Sequence, residues 1–239
     1  MTSKGSISFC PNIIIIDLDG TLIKFQIDYL SARKDALLLI KKHSFLQNME
    51  FTLNDSIFFM DREIKKFLVE NDLSESIYKE IHDKLVSILE RYEMDSAKRA
   101  KLLPSVKETL AQIKDMRWTL ILFTANGENA MNIIVNKTGI KDFFNVMISR
   151  GESMEVKPHP NHIKSAISTM GPSPKEIIVV GDSVADMESG KHIGAITVGV
   201  TSGLGSPQQL AKVNVDYLIG SIAELPCLLR YMHGDIDCQ

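Results

Sequence analysis

Ile13-Ile14-Ile15-Ile16-Asp17-Leu18-Asp19-Gly20-Thr21-Leu22 is the stretch around which the chain organises itself. Four consecutive isoleucines leave no side for water, so they describe a strand covered on both faces, as at the centre of a parallel sheet. The run stops at Asp17 and Asp19, and Gly20 opens a turn that Thr21 continues with a hydroxyl and a main-chain N–H. In open α/β sheets the ligand crevice lies just past the carboxyl ends of the strands. Two carboxylates on alternate residues are therefore delivered to that crevice. Holding them side by side is costly unless a cation or a shared proton lies between them.

The remaining composition narrows the partners. The chain has 239 residues, 44% hydrophobic and 24% charged, enough for a large core in one or two domains. A net charge of −3 gives no electrostatic reason to expect nucleic acid or an anionic membrane. No apolar run approaches the roughly 20 residues that span a bilayer. The opening Met-Thr-Ser-Lys-Gly-Ser is a poor signal peptide. Cys10, Cys227 and Cys238 are few, odd in number and unpaired by any motif spacing. The expectation is a cytoplasmic protein, monomeric or homodimeric.

After Leu22 the pattern becomes helical. Residues 27–42 are rich in Leu, Ala, Lys and Arg, and Ile57, Met60, Ile64, Phe67 and Leu68 recur at helical spacing. A third stripe runs Ile77, Ile81, Leu85, Ile88, Leu89 and Tyr92, with Asp72 or Ser74 to cap it. No strand signal interrupts residues 24–101, seventy-eight positions. From Pro104 strands and helices alternate. Ser105 and Glu108 make a capping-box pattern for a helix to about Met116. Strands are expected at 118–123, 146–149, 177–180 and 195–200, and helices at about 127–138, 161–170, 184–192 and after Ser221. Gly139 suits a helix C-terminus. Such alternation predicts an α/β doubly wound parallel sheet, formed by 1–23 with 102–239, and an α-helical insertion over 24–101.

Each core strand ends in polar residues on its carboxyl side: Asp17 and Asp19, then Thr124, then Asp182, with Lys157 on a loop of the same face. Three carboxylates, a lysine and a hydroxyl suit a divalent cation together with a phosphate. Mg²⁺ takes hard oxygen ligands and is commonly held by one or two carboxylates plus substrate phosphate. His159 reads as a solvated loop residue, and His233, Asp235, Asp237 and Cys238 as a polar terminus.

Asp17-Leu18-Asp19-Gly20-Thr21, Thr124, Lys157-Pro158 and Gly181-Asp182-Ser183-x-x-Asp186 occur in the order of the four motifs of the haloacid dehalogenase-like phosphohydrolases, and the chain resembles that family over nearly its whole length. The helical insertion looks like the cap of the branch containing phosphoglycolate phosphatases and β-phosphoglucomutases. The resemblance implies a Mg²⁺-dependent enzyme acting on a small phosphorylated metabolite. It implies that Asp17 is the nucleophile forming an aspartyl-phosphate and Asp19 the general acid/base. Asp17, the Asp19 carbonyl and Asp182 would hold the metal. Thr124, Ala125 and Lys157 would hold phosphate, and Asp186, Ser183, Gly20 and Thr21 would support the site. Relatives often carry Asn directly after the Thr; here Ala125 stands there and Asn126 follows, which leaves main-chain N–H groups to meet phosphate. Lys24 and Arg33, where the chain enters the insertion, are candidates to reach a substrate anion. A phosphomutase shares the first step. A phospho-accepting signalling module shares the sheet and the acceptor Asp, whereas a dehalogenase would leave Asp19 without a task.

Overall fold

The computed structural model describes residues 13–151, 154–167, 177–203 and 205–234. Residues 1–12 and the tail after 234, with Cys10, Asp235, Asp237 and Cys238, lie outside it, as does the end of the helix expected to reach Met170.

Six parallel strands form one sheet: β1 (Ile13–Asp17), β2 (Thr119–Gly127), β3 (Val146–Arg150), β4 (Ile177–Gly181), β5 (Ile196–Val200) and β6 (Tyr217–Ile219). Their spatial order is β3-β2-β1-β4-β5-β6. The isoleucine run is the hinge of this order. β1 pairs with β2 on one side and β4 on the other, in register from Ile13. The alternation of a strand sends Ile14 and Ile16 to one face and Ile13 and Ile15 to the other. Ile14 and Ile16 join a cluster with Leu110, Ile134 and Leu225, and Ile13 and Ile15 join a second one with Ile163 and Ile193. All four are 5% exposed or less, and each contributes about 2 kcal/mol by leaving water.

The helices packed on the two faces are α4 (Val106–Asp115), α5 (Glu128–Thr138), α6 (Pro160–Ile167), α7 (Val184–His192), α8 (Pro207–Lys212) and α9 (Leu225–His233). Gly139 ends α5 in the left-handed conformation, as expected. Ser105 behaves otherwise: it is left-handed, with φ of 60°, and makes no capping bond to α4. Neither α8 nor β6 was expected, because both are too short to leave a periodic trace. Cys227 in α9 is disulfide-bonded, which the reading of unpaired thiols misses. Spacing along a chain does not report which thiols meet in space. No helix among the described residues is long and apolar enough to cross a membrane.

Between β1 and α4 the chain makes α1 (Tyr29–Ile40), α2 (Ile57–Glu70) and α3 (Glu75–Ala97). Asp28, Ser56 and Ser74 cap their N-termini by accepting main-chain N–H bonds from Ser31, Phe59 and Ser76. These helices share an apolar cluster of their own, including Ala36, Met60, Ile64, Ile81, Leu85 and Leu89. The segments leading out and back run side by side. Lys24 N donates to Lys101 O at 3.0 Å and Leu103 N to Leu22 O at 2.9 Å. α3 spans both regions, since Leu89 belongs to the helical cluster and Ala97 to the sheet cluster.

Candidate active site

β1 lies where the strand order reverses, with β2 and β3 on one side and β4 to β6 on the other. A crevice opens past the carboxyl ends of the strands at such a reversal. Asp17 ends β1 and Asp182 follows directly on β4, so the two carboxylates flank it. Oxygens of Asp17, Asp182 and Asp186 all lie within 4.8 Å of one another.

Lys157, brought in by the loop between β3 and α6, bridges two of them. Its Nζ donates to Asp17 Oδ1 and, at 2.7 Å, to Asp186 Oδ1. Its side chain is only 7% exposed, and the ammonium lies over the Phe123 ring at 4.8 Å. Burial opposes that charge, but Asp17 and Asp186 outweigh it and hold Lys157 protonated above its ordinary range. Asp186 is held in turn by Ser183. Ser183 Oγ donates to its Oδ2 at 2.6 Å and Ser183 N to the same oxygen at 3.1 Å, forming the capping box of α7.

Gly20 has φ of +88°, and a Cβ there would stand 2.1 Å from Asp182 Oδ2. A Cβ on Gly203 would meet the same oxygen at 2.1 Å, and Gly205 N donates to the Asp182 carbonyl at 3.0 Å. Two glycines thus make room for one carboxylate, and a third holds its main chain.

Asp17 Oδ2 and Asp19 Oδ1 are buried with no hydrogen-bond partner, as is the Thr21 hydroxyl. Burial drives the Asp17 carboxyl well above the usual carboxylate range, against the pull of Lys157. Burial also raises Asp19, to about 6, although a bond from Asn126 opposes it. Among the described residues, four carboxylates stand here against one ammonium. A phosphate dianion cannot enter such a field unaccompanied, whereas a divalent cation would find hard oxygens with unused lone pairs. The residues therefore fit a metal of the Mg²⁺ type.

Thr124 is buried in β2, and its Oγ1 accepts the Asn126 N–H at 3.1 Å. Asn126 is the departure from expectation, because its Nδ2 donates to Asp19 Oδ2. Alternation accounts for this: Thr124 and Asn126 share one face, and Ala125 between them points away. The register of β2 against β3 also shifts between Phe123 and Gly127, so spacing counted from the motif misleads.

Tyr29, the first residue of α1, was not expected at the site. Burial raises its phenol well above its ordinary value, and the charges of Asp19 and Glu93 add to that. Glu93 and Arg150 also went unnoticed. The available signal was Glu93 itself, a charge within a stripe of steps of four, Ile81, Leu85, Leu89, Glu93 and Ala97. Arg33 and Lys24 are placed differently from the substrate-contact expectation. Arg33 Nη1 donates to the Leu53 carbonyl at 3.0 Å, and the Lys24 side chain is exposed. Neither is among the groups gathered around the carboxylates. A cavity of about 440 Å³ opens between α2 and the loop before α6, lined by Phe58, Arg62, Lys65, Met154, Lys157 and His159 among others.

Comparison with known proteins agrees with this arrangement. The family model described as haloacid dehalogenase-like hydrolase matches residues 14–200. The chain is 27% identical over 224 residues to a phosphoglycolate phosphatase of Nitrosococcus oceani, covering 92% of this chain and 96% of that one. It is 25% identical over 219 residues to the pyrophosphatase PpaX of Bacillus pumilus, covering 90% and 94%. A crystal structure of a hydrolase from Pseudomonas syringae superposes with a TM-score of 0.63 at 20% identity, covering 95% and 100%. A match running from the isoleucine strand to the end of β5 takes in the whole carboxylate-lined crevice, and the chain belongs to the haloacid dehalogenase-like hydrolases.

Proposed function

We propose that this enzyme is a Mg²⁺-dependent phosphatase of small phosphorylated metabolites, working through an aspartyl-phosphate on Asp17. The observation that carries the reading is the pair of buried, unpartnered oxygens, Asp17 Oδ2 and Asp19 Oδ1, on alternate residues at one strand end. Lone pairs kept out of water and given no protein partner are costly unless a ligand uses them.

In this reading an oxygen of Asp17 attacks phosphorus, and the bond from phosphorus to the leaving oxygen breaks. Asp19, raised to about 6 by burial, still carries a proton in part near neutrality and gives it to the departing alkoxide. Asp19 then takes a proton from the water that attacks the aspartyl-phosphate, which frees Asp17 and inorganic phosphate. Lys157 orients Asp17 and neutralises the charge that builds on the phosphoryl oxygens. Thr124 and the main chain around Ala125 offer hydrogen bonds to those oxygens. A bound divalent cation would hold the phosphoryl oxygens and offset the repulsion among the carboxylates. Asp17, the Asp19 carbonyl and Asp182 would be its ligands, with Asp186 held back by Lys157 and Ser183.

The segment 24–101 acts as the cap, and the cavity beside α2 gives room to the leaving group. Its cations, Arg62 and Lys65, suit a substrate with a second anionic group. The relatives named for phosphoglycolate and for pyrophosphate hydrolysis both act on compounds of that kind. A phosphomutase would share the first half-reaction, and product analysis separates the two. A signalling module is set aside because the family is one of hydrolases.

The test is phosphate release from phosphoglycolate, pyrophosphate, sugar phosphates and an aryl phosphate. Release is expected with Mg²⁺, with none in excess chelator and inhibition by Ca²⁺, whose looser coordination lets a carboxylate bind through both oxygens and lose its attacking lone pair. Full activity in excess chelator would remove the metal from the mechanism.

A further inference from the structure

Glu93 and Arg150 form a buried ion pair that none of the steps above uses. Glu93 lies in α3 with its side chain 1% exposed, and Arg150 closes β3 with its side chain 3% exposed. A buried pair is weak evidence for stability, since packed apolar groups often serve as well. What these charges do, and apolar groups could not, is hold main chain. Glu93 Oε2 accepts the Gly127 N–H at 3.0 Å, and Arg150 Nη1 donates to the Ala125 carbonyl at 3.2 Å. The two bonds grip the backbone on either side of Asn126. Gly127 leaves room for the pair, since a Cβ there would stand a tight 3.2 Å from both Arg150 Nη2 and Glu93 Oε2. Phe58 of α2 lies against the guanidinium at 5.8 Å.

We propose that Glu93 and Arg150 are positioning residues for the acid. The pair fixes the 125–127 backbone, the backbone aims the Asn126 amide, and the amide holds Asp19 Oδ2. Asp19 Oδ1 is thereby left to meet the leaving oxygen. Because Glu93 comes from the helical insertion and Arg150 from the sheet, neither region alone aligns Asp19. The inference rests on the phosphatase reading, and it assigns these two residues to leaving-group protonation rather than to binding or fold.

The experiment compares wild type, Glu93→Gln, Asn126→Ala and the double variant, each with an alkyl phosphate and an aryl phosphate in Mg²⁺. Each single variant is expected to lose roughly 10- to 100-fold in kcat with the alkyl substrate, whose basic leaving group needs the acid. KM should stay within about threefold, and the aryl-phosphate burst rate should also fall by no more than about threefold. The double variant should lose no more than the worse single one, since both act through one contact. Additive losses, or equal losses with both leaving groups, would overturn the proposal. Should Glu93→Gln not fold, Glu93→Gln/Arg150→Met removes both charges at similar volume. It is expected to fold and keep the alkyl-specific loss, and a return to the wild-type alkyl-to-aryl ratio would overturn the proposal. A wild type that turns over neither substrate overturns the phosphatase reading itself, which is a different outcome from a wild type that works and variants that add.

Discussion

The sheet and the helical insertion each bury aspartate, and they treat it in opposite ways. In the insertion Asp61 is 4% exposed, and both its oxygens are spoken for. Tyr78 OH donates to Oδ2 at 3.1 Å, and His82 Nδ1 meets Oδ1 at 3.0 Å. At the sheet, Asp17 is 6% exposed and Asp19 is half-buried, yet each keeps one oxygen without a partner. A satisfied buried carboxylate belongs to architecture, and an unsatisfied one waits for a ligand. The difference lies in where each carboxylate stands. Asp61 borders the cavity beside α2, but side chains of the next helix use both its oxygens, whereas the carboxylates at the strand ends face a space that protein does not fill.

The contrast predicts that damage in the two places is of different kinds. Asp17→Asn should cost at least about 10⁴-fold in turnover, since loss of a nucleophile at constant shape leaves only binding. Labelling of the protein by substrate phosphate should vanish with it, while the thermal transition stays cooperative. Labelling that persists would move the nucleophile elsewhere. Asp19→Asn comes next, with a loss of roughly 10²–10⁴ for an alkyl phosphate and less for the phosphorylation step with an aryl phosphate. Rapid quench with the aryl substrate should trap labelled protein, because water activation is lost in both cases. Equal slowing without trapped label would reduce Asp19 to an organiser of the site.

Asp61→Ala should do the reverse. Two part-buried groups lose their acceptor, so denaturant unfolding should report a loss of about 2–3 kcal/mol, while substrate phosphate should still label the folded protein. Loss of that labelling without loss of stability would erase the distinction between the regions. The smallest effect concerns His162, packed against Phe123 with ring centroids 4.4 Å apart. Burial lowers it to about 4, and its Nε2–H bonds to the Ser149 carbonyl at 3.0 Å. Below pH 6.5 the unfolded chain takes up a proton that the folded chain refuses, so stability falls as pH drops from 6.5 toward 4. Between pH 7.5 and 5.5 the loss is about 1 kcal/mol. His162→Gln should flatten that part of the stability profile, and an unchanged slope would assign it to other groups.

The legibility of the sequence follows the same division. Asp17, Asp19, Lys157 and Asp182 stand out because each ends a strand or a strand-following loop, where polar residues break an apolar run. The six-strand order agrees with the strict alternation of strand and helix, apart from β6, whose three residues carry too little pattern. What stayed hidden depends on geometry that spacing does not encode. Asn126 reaches Asp19 because it shares a face of β2 with Thr124, whereas counting residues from the motif points to Ala125 instead. Gly203 meets Asp182 from more than twenty positions away, with nothing in its neighbours to announce it. Arg150 reads as an ordinary charge at a strand end until Glu93 arrives from the insertion.

The two strands of chain that lead into and out of that insertion have a consequence for how the protein was built. Leu22 and Lys24 run alongside Lys101 and Leu103, joined by main-chain hydrogen bonds that need no particular side chain. Seventy-eight residues therefore occupy the place of a short turn, and the sheet around them need not change its register to accept a longer or shorter passenger. A passenger of another length is compatible with the same two main-chain bonds. Near its exit it must still pack Ala97 on the sheet and bring Glu93 to the arginine of its host.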